Sequence, residues 1–194
     1  MIFFDTEVFA HDWLLVTFDG KEFTYIENDR ELLQQFYEKH KHDLWIGYNC
    51  KGYDQYIIKA ILLGINPKIV NDYIIKSGHP GWSFTNKFKS ISLNIYDAMV
   101  FGKSLKQLES YMGVNIHETD VDFDLTRSLT TEERKLNRDY CRDDVYNTAL
   151  VFQETQQDFE AHYGLCQLAN EPLSSMSKTK AQLGAKILKA KRLT

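Results

Sequence analysis

Asp5 and Glu7 lie two residues apart in the apolar run IFFDTEVF, residues 2–9. Alternate residues of a strand point to one face, so a strand here projects both carboxylates together. Neighbouring like charges repel and are costly to desolvate. A divalent cation removes that cost. Mg²⁺ in particular takes few protein carboxylates and completes its shell with substrate phosphate. Taken alone, the pair is also what an exposed strand end with two solvated acids looks like.

A second set follows the short apolar run LWIGY, in YNCKGYDQYII. Asn49 stands at the strand end, and Tyr53 and Asp54 open the next helical stretch. An acid in a first helical turn is favoured by the helix dipole, which suffices to explain Asp54. The same placement lets Asp54 face the Asp5–Glu7 edge if the two strands are neighbours. Tyr53 offers a ring on which a base can stack, or a half-buried packing surface.

The third set is DYCRDDVYN, residues 139–147. Residues four apart stack on one helix face. Leu136, Tyr140, Asp144, Thr148 and Phe152 make a mostly apolar row, whereas Asp139, Asp143 and Asn147 make a polar one, continued by Glu154. This spacing predicts Asp139 and Asp143 on the solvated face and Asp144 facing the sheet. A carboxylate aimed at a core needs a partner, and a metal ion is a good one; at the stripe's edge it can instead reach solvent.

Positioning these residues requires a mixed α/β layout. WLLVTFD and KEFTYIE flank Asp19-Gly20 as a hairpin. Asn28 or Asp29 caps a helix through ELLQQFYEKH. DQYIIKAILLG has helical spacing and stops at Gly64, and Asn66-Pro67 opens another helix. SISLNIYD reads as a strand. Ser104 with Gln107, and Thr130 with Glu133, form capping-box patterns. The first opens a helix closed by Gly113, and the second opens a long helical region to about Gln157, with a polar acidic loop over 114–129 between them. Three strands, a helix, then alternating strand and helix predict an α/β fold with a mixed sheet flanked by helices. The stretch 174–194 carries Lys178, Lys180, Lys186, Lys189, Lys191 and Arg192 and no acid, and reads as a basic helix or tail off the core.

Composition sets the broad class. The 194 residues suit one domain with a full core, here 1–173, plus that appendage. The start of the chain lacks a signal-peptide pattern and no apolar run is long enough for a bilayer, so the expectation is a cytoplasmic protein with no membrane partner. Cys50, Cys141 and Cys166 are odd in number and far apart, which argues against a disulfide framework or a structural zinc site. A net charge of −4 argues against simple electrostatic nucleic-acid binding, but not against meeting phosphate through ions held by the chain's own acids.

Together, FDTE (Asp5, Glu7), NCKGYD (Asn49, Tyr53, Asp54) and YCRDD (Tyr140, Asp144) resemble the three exonuclease motifs of the DEDD superfamily of 3′→5′ exonucleases, tyrosine branch. That branch includes the proofreading domains of family A and family B DNA polymerases. The intervening NIYDAMVFGKSLKQLESYMG resembles the strand, Asp and SLxxL helix between the second and third motifs, and VDFDLTRSLTTEE resembles bacteriophage polymerases of this kind. The likeness covers residues 1–157. The histidine branch would need His where Asp139 stands. Val8 departs from the pattern, since many members carry Thr there, and bears on a local contact to the terminal nucleotide.

The resemblance implies a ribonuclease-H-like fold, a mixed sheet with one antiparallel strand. It implies that Asp5, Glu7, Asp54 and Asp144 hold two divalent cations, Mg²⁺ or Mn²⁺, for two-metal hydrolysis of DNA 3′ ends that releases nucleoside 5′-monophosphates. Tyr140 would orient the attacking water, Asn49 and Tyr53 would hold terminal nucleotides, and Phe9 would wedge against the last base. The implied partners are single-stranded or frayed DNA 3′ ends, with either a polymerase domain in a longer chain or a freestanding enzyme whose basic tail steers DNA. Two alternatives remain at this point: trimming of RNA by the same chemistry, and a catalytically silent nucleic-acid-binding scaffold.

Overall fold

The alternation in IFFDTEV gives the first strand two different faces, and each meets its own core. In the computed structural model, which describes residues 1–113 and 121–190, this strand is β1 (Ile2–Val8). The hairpin partner strands are β2 (Trp13–Phe18) and β3 (Phe23–Glu27). β4 (Leu44–Gly47) and β5 (Asn94–Asp97) follow. The five form one sheet in the order β3-β2-β1-β4-β5. β2 pairs antiparallel with β1 and β3, while β4 pairs parallel with β1 and β5, so β2 alone runs against the other four. The fold is therefore α/β with a mixed sheet flanked by helices, as the element pattern predicts.

On one face Phe4 and Val8 pack with Leu15, Ile26 and Trp45 under α1 (Arg30–His40) and α2 (Asp54–Leu62). Asp29 caps α1 by accepting from the Leu32 N–H at 2.9 Å. α2 stops before Gly64, whose φ of +72° needs no Cβ. Asn66 and Pro67 open the short α3 (Pro67–Asn71). On the other face Phe3, Val16, Ile46 and Tyr96 pack against α5 (Thr131–Glu154) and α6 (Gln156–Leu168). Both predicted capping boxes are present, at α5 and at α4 (Leu105–Met112), and Gly113 closes α4 with φ +68°. Among the described residues no helix is long and apolar enough to cross a membrane.

Three expectations change. Of SISLNIYD only Asn94–Asp97 pairs as strand, because a 3₁₀ turn, Asn86–Ser90, first lays Phe88 into the core. The helical region meant to reach Gln157 breaks at Thr155 (φ −102°, ψ 18°), where α6 begins. The basic stretch is not merely an appendage. It forms α7 (Lys180–Ile187), and Met176 and Leu183 are buried in the second core. Glu171 anchors it through Lys178 (2.5 Å) and Lys186. Lys191 and Arg192, and positions 114–120 of the acidic loop, lie outside the described residues.

Candidate functional site

β1 carries Asp5 and Glu7 on the face that α5 covers, next to Phe3 of the second core. Thr6 points to the opposite face and is buried. There it acts as an anchor. Its N–H and its hydroxyl donate to Asp54 Oδ1 at 3.1 and 2.5 Å. Those two bonds tie the first turn of α2 to the middle of β1. Asp54 is 4% exposed, and the parallel pairing of β4 beside β1 is what brings it there.

The connection from β4 to α2 is shaped by Asp97 at the end of β5. Its carboxylate accepts from the N–H groups of Asn49 (2.8 Å), Lys51 (3.1 Å) and Met99 (3.0 Å). Asn49 takes φ +57°, a conformation Asn tolerates better than most residues. A side chain at Gly47 would meet Cys50 Cβ at 2.6 Å, so the tight turn requires glycine. Asp97 thus orders the loop that presents Asn49 and Asp54 without joining the acid cluster itself.

α5 supplies Tyr140, Cys141 and Asp144. Its buried row is Asn137, Cys141, Val145, Thr148 and Phe152, and Leu136 is exposed. The predicted row of i+4 steps is corrected here. Four residues turn an α-helix about 40° past a full revolution, so a row drawn from Leu136 to Phe152 winds from solvent into the core. The same drift carries Asn147 inward from the polar row. Asn147 Nδ2 donates to the buried Glu109 of α4 at 2.8 Å. Asp139 and Asp143 do stay outside, where Arg142 pairs with both at 3.0 and 2.8 Å. Tyr140 and Asp144 flank the buried row, half-buried and one helical turn apart, and the Tyr140 hydroxyl lowers the Asp144 carboxyl in part.

Asp5, Glu7 and Cys141 offer ligand atoms within 4.8 Å of one another, a group that can hold a metal ion. Cys141 Sγ donates to Asp5 Oδ2 at 3.6 Å. Asp54 and Asp144 lie outside that tight group but within its field. Burial, then the charges of Asp54, Glu7 and Asp144, hold the Asp5 carboxyl well above its usual range. Burial, then Asp144 and Asp54, do the same to Glu7, and Lys106 partly offsets it. Burial lifts Asp54 to about 6 against its hydrogen bonds from Thr6. Burial lifts Asp144 to about 6 against Tyr140 and Lys106. Burial and Asp144 push the Tyr140 hydroxyl upward, so it keeps its proton at neutral pH.

No family model, curated protein or solved structure matches this chain. The site therefore stands on its own geometry.

The nucleotide-contacting residues divide. Asn49 is exposed. Tyr53 is packed against the first core, and its hydroxyl donates to Asn71 Oδ1 at 2.6 Å. Val8 and Phe9 are buried, at 4% and 1% exposure. Val8 alternates with Glu7 and points into the first core. Phe9 is covered by Phe123, stacked at 5.0 Å, with Val121 and Leu129 beneath. Thr6, Cys141 and Lys106 belong to the site but were not legible as functional residues. Lys106 places its ammonium 4.8 Å from the centre of the Tyr140 ring. It stands in the SLKQL stretch, whose helix cap at Ser104 and SLxxL pattern do not single out the lysine.

Proposed function

We propose that this chain is a divalent-cation-dependent 3′→5′ exonuclease of ribonuclease-H-like fold, acting on single-stranded or frayed DNA 3′ ends. The observation that carries the reading is the convergence of Asp5, Glu7, Asp54 and Asp144. They come from three elements, and each is raised above its ordinary carboxylate range. Such repulsion is stored cost in a structural core and an asset where cations bind. The donor set fits hard cations, because carboxylate oxygens suit Mg²⁺ or Mn²⁺. The buried Cys141 thiol is pushed upward and stays protonated, so it adds little to such a site.

Asp5, Glu7, Asp54 and Asp144 would hold the ions. When bound, the ions would acidify the attacking water and stabilise the departing 3′ oxygen. The chain's own groups do the rest. Thr6 holds Asp54 in place. Tyr140, protonated and beside Asp144, is suited to orient a water rather than to take its proton. Lys106 beside Tyr140 adds positive charge where a phosphate would approach. No protein nucleophile is required. The lone antiparallel strand β2 in an otherwise parallel sheet supports the ribonuclease-H-like assignment.

The test is incubation with a 3′-ended single strand, with and without Mg²⁺ or Mn²⁺. Stepwise shortening with release of nucleoside 5′-monophosphates is expected. No shortening under any metal condition overturns the reading, and shortening of RNA in preference to DNA reassigns the substrate.

A further inference from the structure

Residues 73–96 contain no Asp or Glu, although the chain as a whole carries 27 acids and a net charge of −4. The same stretch contains Lys87 and Lys89 and the aromatic residues Tyr73, Trp82, Phe84 and Phe88. It folds over the outer side of α2 as two 3₁₀ turns, Gly81–Ser83 and Asn86–Ser90. Between these turns and α2 lies a cavity of about 500 Å³, lined by Tyr56, Lys59, Trp82, Phe84, Phe88 and Lys89 among others.

The cavity is built rather than incidental. Gly81 lies against the Tyr56 ring so closely that a Cβ there would sit 2.2 Å from it. Phe84 and Phe88 stack at 5.8 Å, and Phe88 lies 5.6 Å from Tyr56. These contacts fix the walls. Trp82, in contrast, is 69% exposed, a large ring left in water at the cavity's rim. Lys59 holds its ammonium 5.6 Å from the Tyr56 ring centre and donates to Gln55 at 3.2 Å. Among the described residues no carboxylate pairs with Lys59, Lys87 or Lys89. Burial draws the Lys59 ammonium below its usual range, as expected for a cation with no anion beside it.

An aromatic face open to solvent beside unpaired lysines is the chemistry that takes a base on the ring and its phosphate on the ammonium groups. A peptide or lipid partner would explain the rings but not the absence of acids over 24 consecutive residues, which favours a polyanion. We infer that the Trp82 cavity is a second binding site for single-stranded nucleic acid, separate from the acid cluster, with a base stacked on Trp82 and the backbone held by Lys59 and Lys89. It goes beyond the exonuclease reading, since binding here needs neither cations nor hydrolysis.

The experiment is a tryptophan-fluorescence titration of the whole protein with oligothymidylate in EDTA, where no hydrolysis occurs. Of the three tryptophans Trp82 is the exposed one and Trp45 is fully buried, so quenching reports on this site. Quenching is expected in the parent, and fluorescence anisotropy of a dye-labelled oligothymidylate in the same buffer, which needs no protein tryptophan, is expected to show an affinity about tenfold lower in Trp82→Ala. The salt dependence is expected to fall by about one phosphate contact in Lys89→Glu. Both side chains are exposed, so the fold should persist, and an unchanged melting temperature checks it. Unchanged affinity in both variants overturns the site. Equal affinity for thymidine monophosphate and the oligomer overturns the strand assignment in favour of a free nucleotide, and quenching only by an apolar probe or peptide overturns the polyanion. Strand binding without degradation in Mg²⁺ or Mn²⁺ would leave this site standing and sink the exonuclease reading. Degradation with no Trp82 effect would do the reverse.

Discussion

Asp143 and Asp144 are chain neighbours with opposite surroundings, which makes them a direct test. Asp143 is held by Arg142 on the outer face. Asp144 shares the field of Asp5 and Glu7. Under the proposed exonuclease reading, Asp144→Ala lowers turnover by a factor of about 10³ or more, the scale of removing one electrostatic element of a reaction centre. Asp143→Ala should leave most of it, measured as nucleotide released per minute at saturating Mn²⁺. The reverse pattern would show that the helix face has been misassigned. A second prediction concerns stability alone. Asn147 supplies the buried Glu109 with its hydrogen bond, so Asn147→Ala should cost about 2–3 kcal/mol by leaving a buried carboxyl group unpartnered. Urea denaturation checks this, and the double variant with Glu109→Ala should lose less than the sum of the two single losses.

At the scale of elements, α5 is the arm that carries Tyr140 and Asp144, and its start is doubly secured. Thr130 accepts from the Glu133 N–H at 3.2 Å, and Glu133 accepts from the Thr130 N–H at 2.8 Å. Arg134 reaches the buried Asp12 at 2.5 Å and Glu27 at 3.1 Å, which sets the helix against the β2–β3 hairpin. Thr130→Ala should therefore cost only about 1 kcal/mol, a drop of about 2–4 °C in melting temperature. Arg134→Ala should cost more, because it removes the counter-charge of the buried Asp12 and leaves that carboxylate only the Asn28 amide and the Leu129 N–H. Arg127 holds the Glu133 carboxyl down to about 2. A lowered acid contributes its stability above the ordinary value of 4.5 and loses it as pH falls through the folded value. Fraying at the start of α5 should thus grow between about pH 4.5 and 2, visible as faster amide exchange there.

For the whole molecule, the acid cluster works in the opposite sense. Asp54 and Asp144 are raised from 3.8 to about 6, so between those values the folded chain binds more protons than the unfolded one. Stability from these groups then falls as pH rises through that window and stays lower above it. In metal-free buffer, Asp144→Asn should melt at least about 2 °C above the parent at pH 7.5 and close to it at pH 4. Adding Mn²⁺ at pH 7.5 should raise the parent's melting temperature by mass action and leave the variant nearly unmoved. A parent indifferent to Mn²⁺ and Mg²⁺ would show that the four acids do not form a cation site.

The local features were legible because local rules decide them. The Asp29 and Asn66 caps, both capping boxes, the hairpin and the stops at Gly64 and Gly113 depend on residues a few positions apart. The types and order of Asp5, Glu7, Asp54, Tyr140 and Asp144 were legible for the same reason. What lay beyond the sequence was set by pairing and packing at long range. Only β4 lying parallel to β1 turned Asp54 toward Asp5, and Thr6, 48 positions away in the chain, became its anchor. Cys141 came into the cluster, and Asn147 into the core, because a helix of 3.6 residues per turn laid on a sheet has one buried line that i+4 counting drifts away from. Val8 and Phe9 proved buried because the strand's other face and the Phe123 ring enclose them. Residue type states which chemistry is available, but only the packed chain decides which groups share one dielectric pocket, and therefore which charges repel strongly enough to need a cation.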